Sequence, residues 1–187
     1  MLNYVDKKLI IKNKSNANDL KQFFTNLSKQ TYYNFNTFGV INYNNIDKII
    51  KYEIIRKDKI KFFSFINDEL IGYSFLIKFE KSTKKHNCIL GLVIKDKWQN
   101  KGYGKKIVKF MIDLAWKKNY QKIWLTAFAD NLSALKIYKD LGFEIEGVFI
   151  DDELVKNNKR DIVSMAIFRN NKNSSIERER ILTNLQS

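Results

Sequence analysis

A glycine-containing loop between two apolar segments constrains this chain more than any other feature. The loop covers 96–107 and reads DKWQNKGYGKKI. Upstream, CILGLVIK predicts a buried strand; downstream, KKIVKFMIDLAWKK has apolar residues at helical spacing, with lysines opposite. A Walker A loop would need Gly-Lys-Ser/Thr, and a dinucleotide fingerprint would need glycine where Ile107 stands. The sequence therefore predicts a strand that turns sharply into a helix, without either familiar phosphate motif.

The first turn of such a helix can hold an anion. Its first N–H groups have no partners within the helix, and its N-terminus is the positive end of the helix dipole. Gly102 and Gly104 permit backbone conformations closed to other residues and a close approach to a ligand. The backbone from Gln99 to Lys105 could thus wrap a diphosphate. A tight turn without a ligand explains the same glycines, so the loop alone leaves both interpretations open.

Composition limits the class of protein. The 187 residues, 44% of them hydrophobic, suffice for one buried core, so we predict a single domain over 1–170 and a polar tail over 171–187. There is no run of 18 apolar residues, which disfavours a membrane span. The single cysteine, Cys88, excludes an internal disulfide and favours a cytoplasmic setting. The net charge of +14 attracts polyanions. Lysine is abundant along the whole chain, however, as a bias toward A/T-rich codons would produce, and this disfavours a dedicated nucleic-acid partner.

The predicted elements alternate between strands and helices. They are a strand at 7–13, helices at 15–30 and 46–57 around an irregular segment at 31–45, a hairpin at 60–79, a strand at 87–95, a helix at 105–118, a strand at 122–129, a helix at 131–142, and strands at 143–150 and 160–168 joined by a loop. This order predicts an α/β chain with antiparallel hairpins and a helix that crosses over between the fourth and fifth strands. A capping box at Ser174 and Glu177 predicts a short helix in the tail, either frayed or in a dimer contact.

Two short motifs occur in order on these elements. The first is Gln-x-x-Gly-x-Gly in the loop, and the second is Asn-x-x-Ala-x-x-x-Tyr followed by Gly-Phe on the next helix. Their residues are Gln99, Gly102, Gly104, Asn131, Ala134, Tyr138, Gly142 and Phe143. Together they resemble the GCN5-related N-acetyltransferase (GNAT) family, firmly over 87–143 and only in architecture before residue 60. The resemblance implies that family's fold, a mixed and mostly antiparallel sheet of about seven strands with about four flanking helices.

The resemblance implies how acetyl-coenzyme A would bind. Its pyrophosphate would lie on the glycine loop, and its pantetheine arm would lie between the strands GLVIK and WLTAFA, pairing with the first as an added strand does. A backbone N–H near Val93 or Ile94 would bond the acetyl carbonyl. The implied cofactor-binding residues are Leu92, Val93, Ile94, Gln99, Asn100, Lys101, Gly102, Tyr103, Gly104, Lys105 and Asn131. No metal site is predicted.

The resemblance also implies direct acetyl transfer to a neutral primary amine. Tyr138 would be the general acid that protonates the leaving thiolate, because a phenol with a pKa of ~10 carries its proton at neutral pH. The alternative is a core tyrosine, and Cys88 is predicted to be a packing residue. The general base is unassigned among His86, Glu80, an acid within 151–153, and water.

Substrate pockets of this family would correspond here to 31–45 and 151–159. The first segment offers aromatic rings to a cation or a ring, and the second offers carboxylates; loop packing and solvated charge explain both equally. The expected contacts are Tyr32, Tyr33, Phe35, Phe38 and Asp151. The expected acceptor is a small-molecule amine such as a polyamine, amino sugar or amino acid. The alternatives are a protein N-terminal or lysine acetyltransferase and a non-catalytic acyl-CoA-binding or nucleic-acid-associated module, and a monomer and a homodimer are both open.

Overall fold

The computed structural model of the chain describes residues 4–5, 9–35, 47, 50–51, 56–170, 176, 179–181 and 183–184. In these ranges the strands are β1 Tyr4–Val5, β2 Ile10–Lys12, β3 Lys59–Ile66, β4 Glu69–Lys78, β5 Asn87–Ile94, β6 Lys122–Phe128, β7 Glu144–Val155 and β8 Asn158–Phe168. The helices are α1 Ala17–Thr25, α2 Lys29–Phe35, α3 Tyr103–Lys117 and α4 Leu132–Asp140. One sheet contains all these strands in the order β1-β2-β3-β4-β5-β6-β8-β7. Only β5 and β6 are parallel, so the predicted mixed and mostly antiparallel sheet is confirmed.

The hairpin and the crossover occur where the sequence predicted them. β3 and β4 are joined at Asn67 and Asp68, which have φ values of 46° and 63°. A two-residue hairpin turn favours such positive φ values, and Asn and Asp tolerate them. The helix α3 connects β5 to its parallel neighbour β6, as a parallel pair requires.

The N-terminal helices differ from the prediction. The expected helix at 15–30 is two helices, because the carboxylate of Asp96 accepts hydrogen bonds from Ser28 N (2.9 Å) and Ser28 Oγ (2.6 Å) just before α2 begins. The segment at 31–45 was predicted to be irregular, which is wrong for 31–35, since α2 runs to Phe35. Most of the predicted helix at 46–57, the rest of 31–45, and most of the tail lie outside the described residues.

The last two strands are longer than predicted. The expected loop at 151–159 is wrong, because β7 and β8 continue to a tight turn at Lys156 and Asn157, with φ values of 50° and 66°. Glu153 pairs with Arg160 in this extension. The extension is largely exposed, so its sequence carries no apolar alternation that would indicate a strand.

The sheet separates two hydrophobic cores. On one face, α3 packs through residues such as Ile107 and Met111; on the other, α1 and α2 pack through residues such as Phe23 and Tyr32. Because successive strand residues point to opposite faces, Leu90, Leu92 and Ile94 contact the first core and Val93 the second. The strand β5 therefore contributes side chains to the cores on both faces of the sheet.

Candidate active site

A cavity lies in the gap between β5 and β6. Within residues 56–170, which the structure describes without a gap, the two strands pair only at Asn87–Lys122, Cys88–Ile123 and Ile89–Trp124. Beyond these pairs the strands diverge, and a cavity of about 350 Å³ opens between them. Residues 90–94 of β5 and 126–127 of β6 line it, together with side chains from α2 on one face and from α3 and α4 on the other. The cavity therefore passes through the sheet.

Backbone groups of β5 point into this gap. Lys95 N donates to Ile71 O at 2.9 Å, which sets the register of the antiparallel pair β4–β5. Since N–H groups alternate between the two sides of a strand, Val93 N–H points to β4, whereas Leu92 and Ile94 N–H point to the gap. Of the two donors considered from the sequence, Ile94 rather than Val93 has its N–H directed at the cavity.

The side chain of Gln99 connects three elements. Its Nε2 donates to Ile94 O and to Thr31 Oγ1, both at 2.9 Å, so it joins the loop to β5 and α2. Thr31 Oγ1 donates in turn to Asp96 at 2.7 Å. Burial raises the pKa of Asp96, but the hydrogen bonds from Ser28 and Thr31 outweigh it and hold the pKa below its usual value. Asp96 is thus a carboxylate that holds the start of α2 against the glycine loop.

The two glycines of the loop serve different purposes. Gly102 precedes α3 with a φ of 80°, and an added Cβ would meet nothing within 4 Å, so the space over the first turn of α3 is open. At Gly104 an added Cβ would lie 3.1 Å from Ile137 Cδ1 and 3.5 Å from Ile94 Cδ1. Gly104 therefore allows α3 to pack closely on α4. Asn100, which also lines the cavity, has a φ of 56°.

Three other loop residues lie beside the cavity and do not line it. Lys101 Nζ is 5.2 Å from the ring centroid of Trp98, and the ring of Tyr103 packs edge-on against Trp98 at 5.7 Å. Lys105 Nζ forms an ion pair with Asp140 Oδ2 at 3.1 Å. These contacts order the loop and tie it to α4.

Helix α4 contributes Asn131 and Tyr138 to the cavity. Asn131 Oδ1 caps the helix by accepting from Ala134 N at 3.4 Å. Tyr138 is 8% exposed, and its ring packs on Phe143 with centroids 5.6 Å apart. Burial raises the pKa of Tyr138 to about 12. A neutral phenol, a proton donor, thus lies at the cavity wall.

The aromatic residues expected to contact a substrate lie in different places. Phe35 lines the cavity, where its ring centroid is 5.9 Å from that of Phe75. Tyr32 is 2% exposed and belongs to the core, and Tyr33 is only partly buried; neither lines the cavity. Phe38 lies outside the described residues.

The acidic and histidine candidates lie away from the cavity. Asp151 is exposed and forms an ion pair with Lys159 at 3.0 Å. His86 and Glu80 are exposed, and His86 precedes β5 at the end opposite the glycine loop, about 26 Å away along an eight-residue strand. Among the described residues that line the cavity, Asp140 is the one carboxylate.

The part of the chain that the structure describes has no group of His, Cys, Asp and Glu side chains placed to hold a metal ion. Cys88 is fully buried, and burial raises the pKa of its thiol to about 12, so it is not a reactive thiolate. No described helix is both long enough and apolar enough to cross a membrane.

Sequence reasoning missed several lining residues. They are Thr31 and Asn34 of α2, Phe75 of β4, Leu90 and Gly91 of β5, Val108 of α3, Thr126 and Ala127 of β6, and Ser133, Lys136, Ile137 and Asp140 of α4. The α2 and α4 residues recur at spacings of three and four, so a helical-face argument could have found them. Phe75 offers no such signal, because it reaches the cavity only by pairing opposite Gly91.

The sequence and the fold both have known counterparts. The sequence model of the acetyltransferase (GNAT) family matches residues 21–143. The L-amino acid N-acetyltransferase AaaT of Escherichia coli (strain K12) is 31% identical over 84 residues, 44% of this chain and 51% of that protein. The spermidine N(1)-acetyltransferase of the same strain is 28% identical over 79 residues, 42% of each chain. The chain thus spans about half the length of the curated relatives it matches.

Among solved structures, the spermidine N-acetyltransferase from Vibrio cholerae in complex with CoA and spermine superposes with a TM-score of 0.72. Its sequence identity is 18%, and the match covers 88% of this chain and 97% of that one. At this identity the likeness shows a shared fold.

Proposed function

The chain belongs to the acetyltransferase (GNAT) family, and from that premise we propose that it transfers the acetyl group of acetyl-coenzyme A to the primary amine of a small molecule. The cavity at the β5–β6 gap carries the proposal, because helix N–H groups, strand N–H groups and a neutral phenol surround one space. Relatives named for amino acid and spermidine acetylation support the choice of a small amine over a peptide.

Three features of the cavity fit acetyl-coenzyme A. Gly102 is exposed at the start of α3 and an added Cβ there would meet nothing within 4 Å, so a diphosphate would have room to approach the first turn of α3. The free edge of β5 at Leu92 and Ile94 suits extended amides. The net charge of +14 attracts a phosphorylated ligand. When bound, this cofactor supplies the acetyl group as a thioester.

The protein's own groups act on either side of that thioester. In this proposal the N–H of Ile94 donates a hydrogen bond to the carbonyl oxygen, and Tyr138 donates its proton to the sulfur that leaves. A phenol with a pKa of about 12 is a poor donor to a solvated thiolate, with a pKa of ~8.5. Burial disfavours a thiolate as well as a phenolate, so the pKa of the leaving thiol also rises in the gap and the mismatch becomes smaller.

The proposal is tested by two measurements on the purified protein. We expect calorimetry to detect CoA binding, and thiol release from acetyl-CoA to be faster with a panel of small amines than with a panel of peptides. Faster release with peptides would favour a protein acetyltransferase. Neither CoA binding nor thiol release with any amine would overturn the proposal.

The pH dependence of kcat/KM follows from the groups around the cavity. No histidine of the described chain lines it, and the hydrogen bond from Lys105 holds the pKa of Asp140 below its usual range. We therefore expect kcat/KM to rise with pH until the amine itself loses its proton, at ~10 for a primary alkyl amine. Because Tyr138 acts in its protonated form and has a pKa of about 12, no alkaline fall should appear below pH ~10.

The His86→Ala variant tests whether His86 contributes to this pH dependence. We expect its pH–rate profile to superpose on that of the unaltered protein, since His86 is exposed and away from the cavity. A displaced acidic limb in the variant would instead identify His86 as the general base.

A further inference from the structure

We propose that the acceptor is an α-amino acid with an aromatic or other apolar side chain, and not a polyamine. The inference rests on the proposed acetyl transfer and narrows its substrate class. Three features of the cavity carry it: aromatic rings, an amide donor, and the distribution of charge.

The acceptor enters from the α2 side of the sheet. On the other side, Gly102, Asn131 and Tyr138 line the part of the cavity assigned to the cofactor. An amine that attacks in the gap between β5 and β6 must therefore approach past α2. The residues that line this half are Thr31, Asn34, Phe35, Phe75, Gly91 and Val93.

Two aromatic rings form the floor of this half. Phe75 is 2% exposed and lies on the backbone of Gly91, where an added Cβ would be 2.2 Å from Phe75 Cζ. The ring of Phe35 packs against it at a tilt of 69°. Lys59 Nζ lies 4.1 Å from the centroid of Phe75, so positive charge already occupies a face of this ring. The floor consequently suits an apolar or aromatic group better than a second ammonium.

Asn34 presents a hydrogen-bond donor. Its Oδ1 accepts from Gln30 Nε2 at 2.9 Å and from Arg160 Nη1 and Nη2 at 3.4 Å each. These contacts orient the amide and leave Nδ2 without a partner among the described residues. An N–H donor matches a carboxylate or carbonyl oxygen, not an ammonium. The guanidinium of Arg160 is itself held by Asp130 and by stacking on Phe128 at 3.6 Å, so the group that donates to Asn34 Oδ1 is fixed.

Charge disfavours a polycation throughout this half. The one carboxylate among the described lining residues, Asp140, belongs to α4 and is paired with Lys105. Residues 29–35, which form α2, contain no Asp or Glu. The net charge of +14 repels a polyamine and attracts an anion. Among the described residues of this half, a buried second ammonium would lack the partner that burial requires.

The substrate class is tested by comparing four amines. We expect kcat/KM for thiol release to be highest with L-phenylalanine. L-Alanine, which lacks the ring, and 2-phenylethylamine, which lacks the carboxylate, should each be lower by about 10-fold or more, and spermidine should be lowest. Spermidine as the best substrate would overturn the inference and leave acetyl transfer intact. Release with none of the four, together with no CoA binding, would instead overturn the proposed function.

The variant Asn34→Asp tests the donor itself, because it replaces the amide with a carboxylate of the same shape. We expect KM for L-phenylalanine to rise by about 10-fold or more, while KM for 2-phenylethylamine changes by less than about two-fold. CoA affinity should not change, which reports an intact fold. The control Asn170→Asp makes the same charge change at an exposed residue after β8, outside the cavity, and should alter none of these values. Equal rises for both amines would overturn the role of Asn34.

Discussion

Tyr138→Phe is expected to lower the turnover of acetyl transfer by about 100- to 1,000-fold, with less than about a two-fold change in acetyl-CoA affinity. The change removes one oxygen and keeps the ring that packs on Phe143. The lost hydroxyl has no hydrogen-bond partner within the described ranges, so its removal leaves no buried group unpaired. The measurements are thiol release at saturating amine and calorimetry with CoA.

The control is Tyr120→Phe, which removes a hydroxyl from a half-buried tyrosine that follows α3 and does not line the cavity. We expect it to retain full turnover. A Tyr138→Phe protein with normal turnover would show that the proton reaches the sulfur by another route. Loss of CoA affinity in that variant would show that the hydroxyl binds the cofactor rather than acting in transfer.

Gly91→Ala is expected to decrease both stability and activity, because the site has no room for a methyl group. An added Cβ would lie 2.2 Å, 2.6 Å and 2.7 Å from three ring atoms of Phe75. That ring is held between Phe35 and Tyr73, with centroids 5.9 Å and 5.7 Å away, so it cannot move aside without displacing them. Overpacking of this kind costs about 1–3 kcal/mol of unfolding free energy. Urea denaturation and thiol release measure the two effects.

A second substitution distinguishes this cause from a general backbone effect. In Gly91→Ala with Phe75→Leu, the shorter side chain makes room for the methyl group, so the double variant should be more stable than the sum of the two single changes predicts. The matched control is Gly147→Ala, where an added Cβ meets nothing within 4 Å and stability should hardly change. Strictly additive losses in the double variant would contradict the contact between Phe75 and Gly91.

The elements around the glycine loop, and α4 after them, are the ones that the sequence predicted most closely. Alternation, helical periodicity and turn residues predicted β5, α3, β6 and α4 closely, because each signal lies within a few residues of the element it specifies. The break between α1 and α2 escaped prediction, since it depends on Asp96, which is 68 residues from Ser28 in the chain. The extension of the β7–β8 hairpin was not predicted for a different reason, because its exposed strands have no alternation of apolar and polar residues.

Local periodicity and turn residues were enough to predict the order of the elements, and the resemblance of two short motifs was enough to indicate the family. Three features became visible only in the folded chain: β5 and β6 diverge after Ile89, Phe75 covers Gly91, and Arg160 orients Asn34. The reason is that each of these contacts joins residues far apart in the chain, whose meeting depends on the packing of the whole sheet.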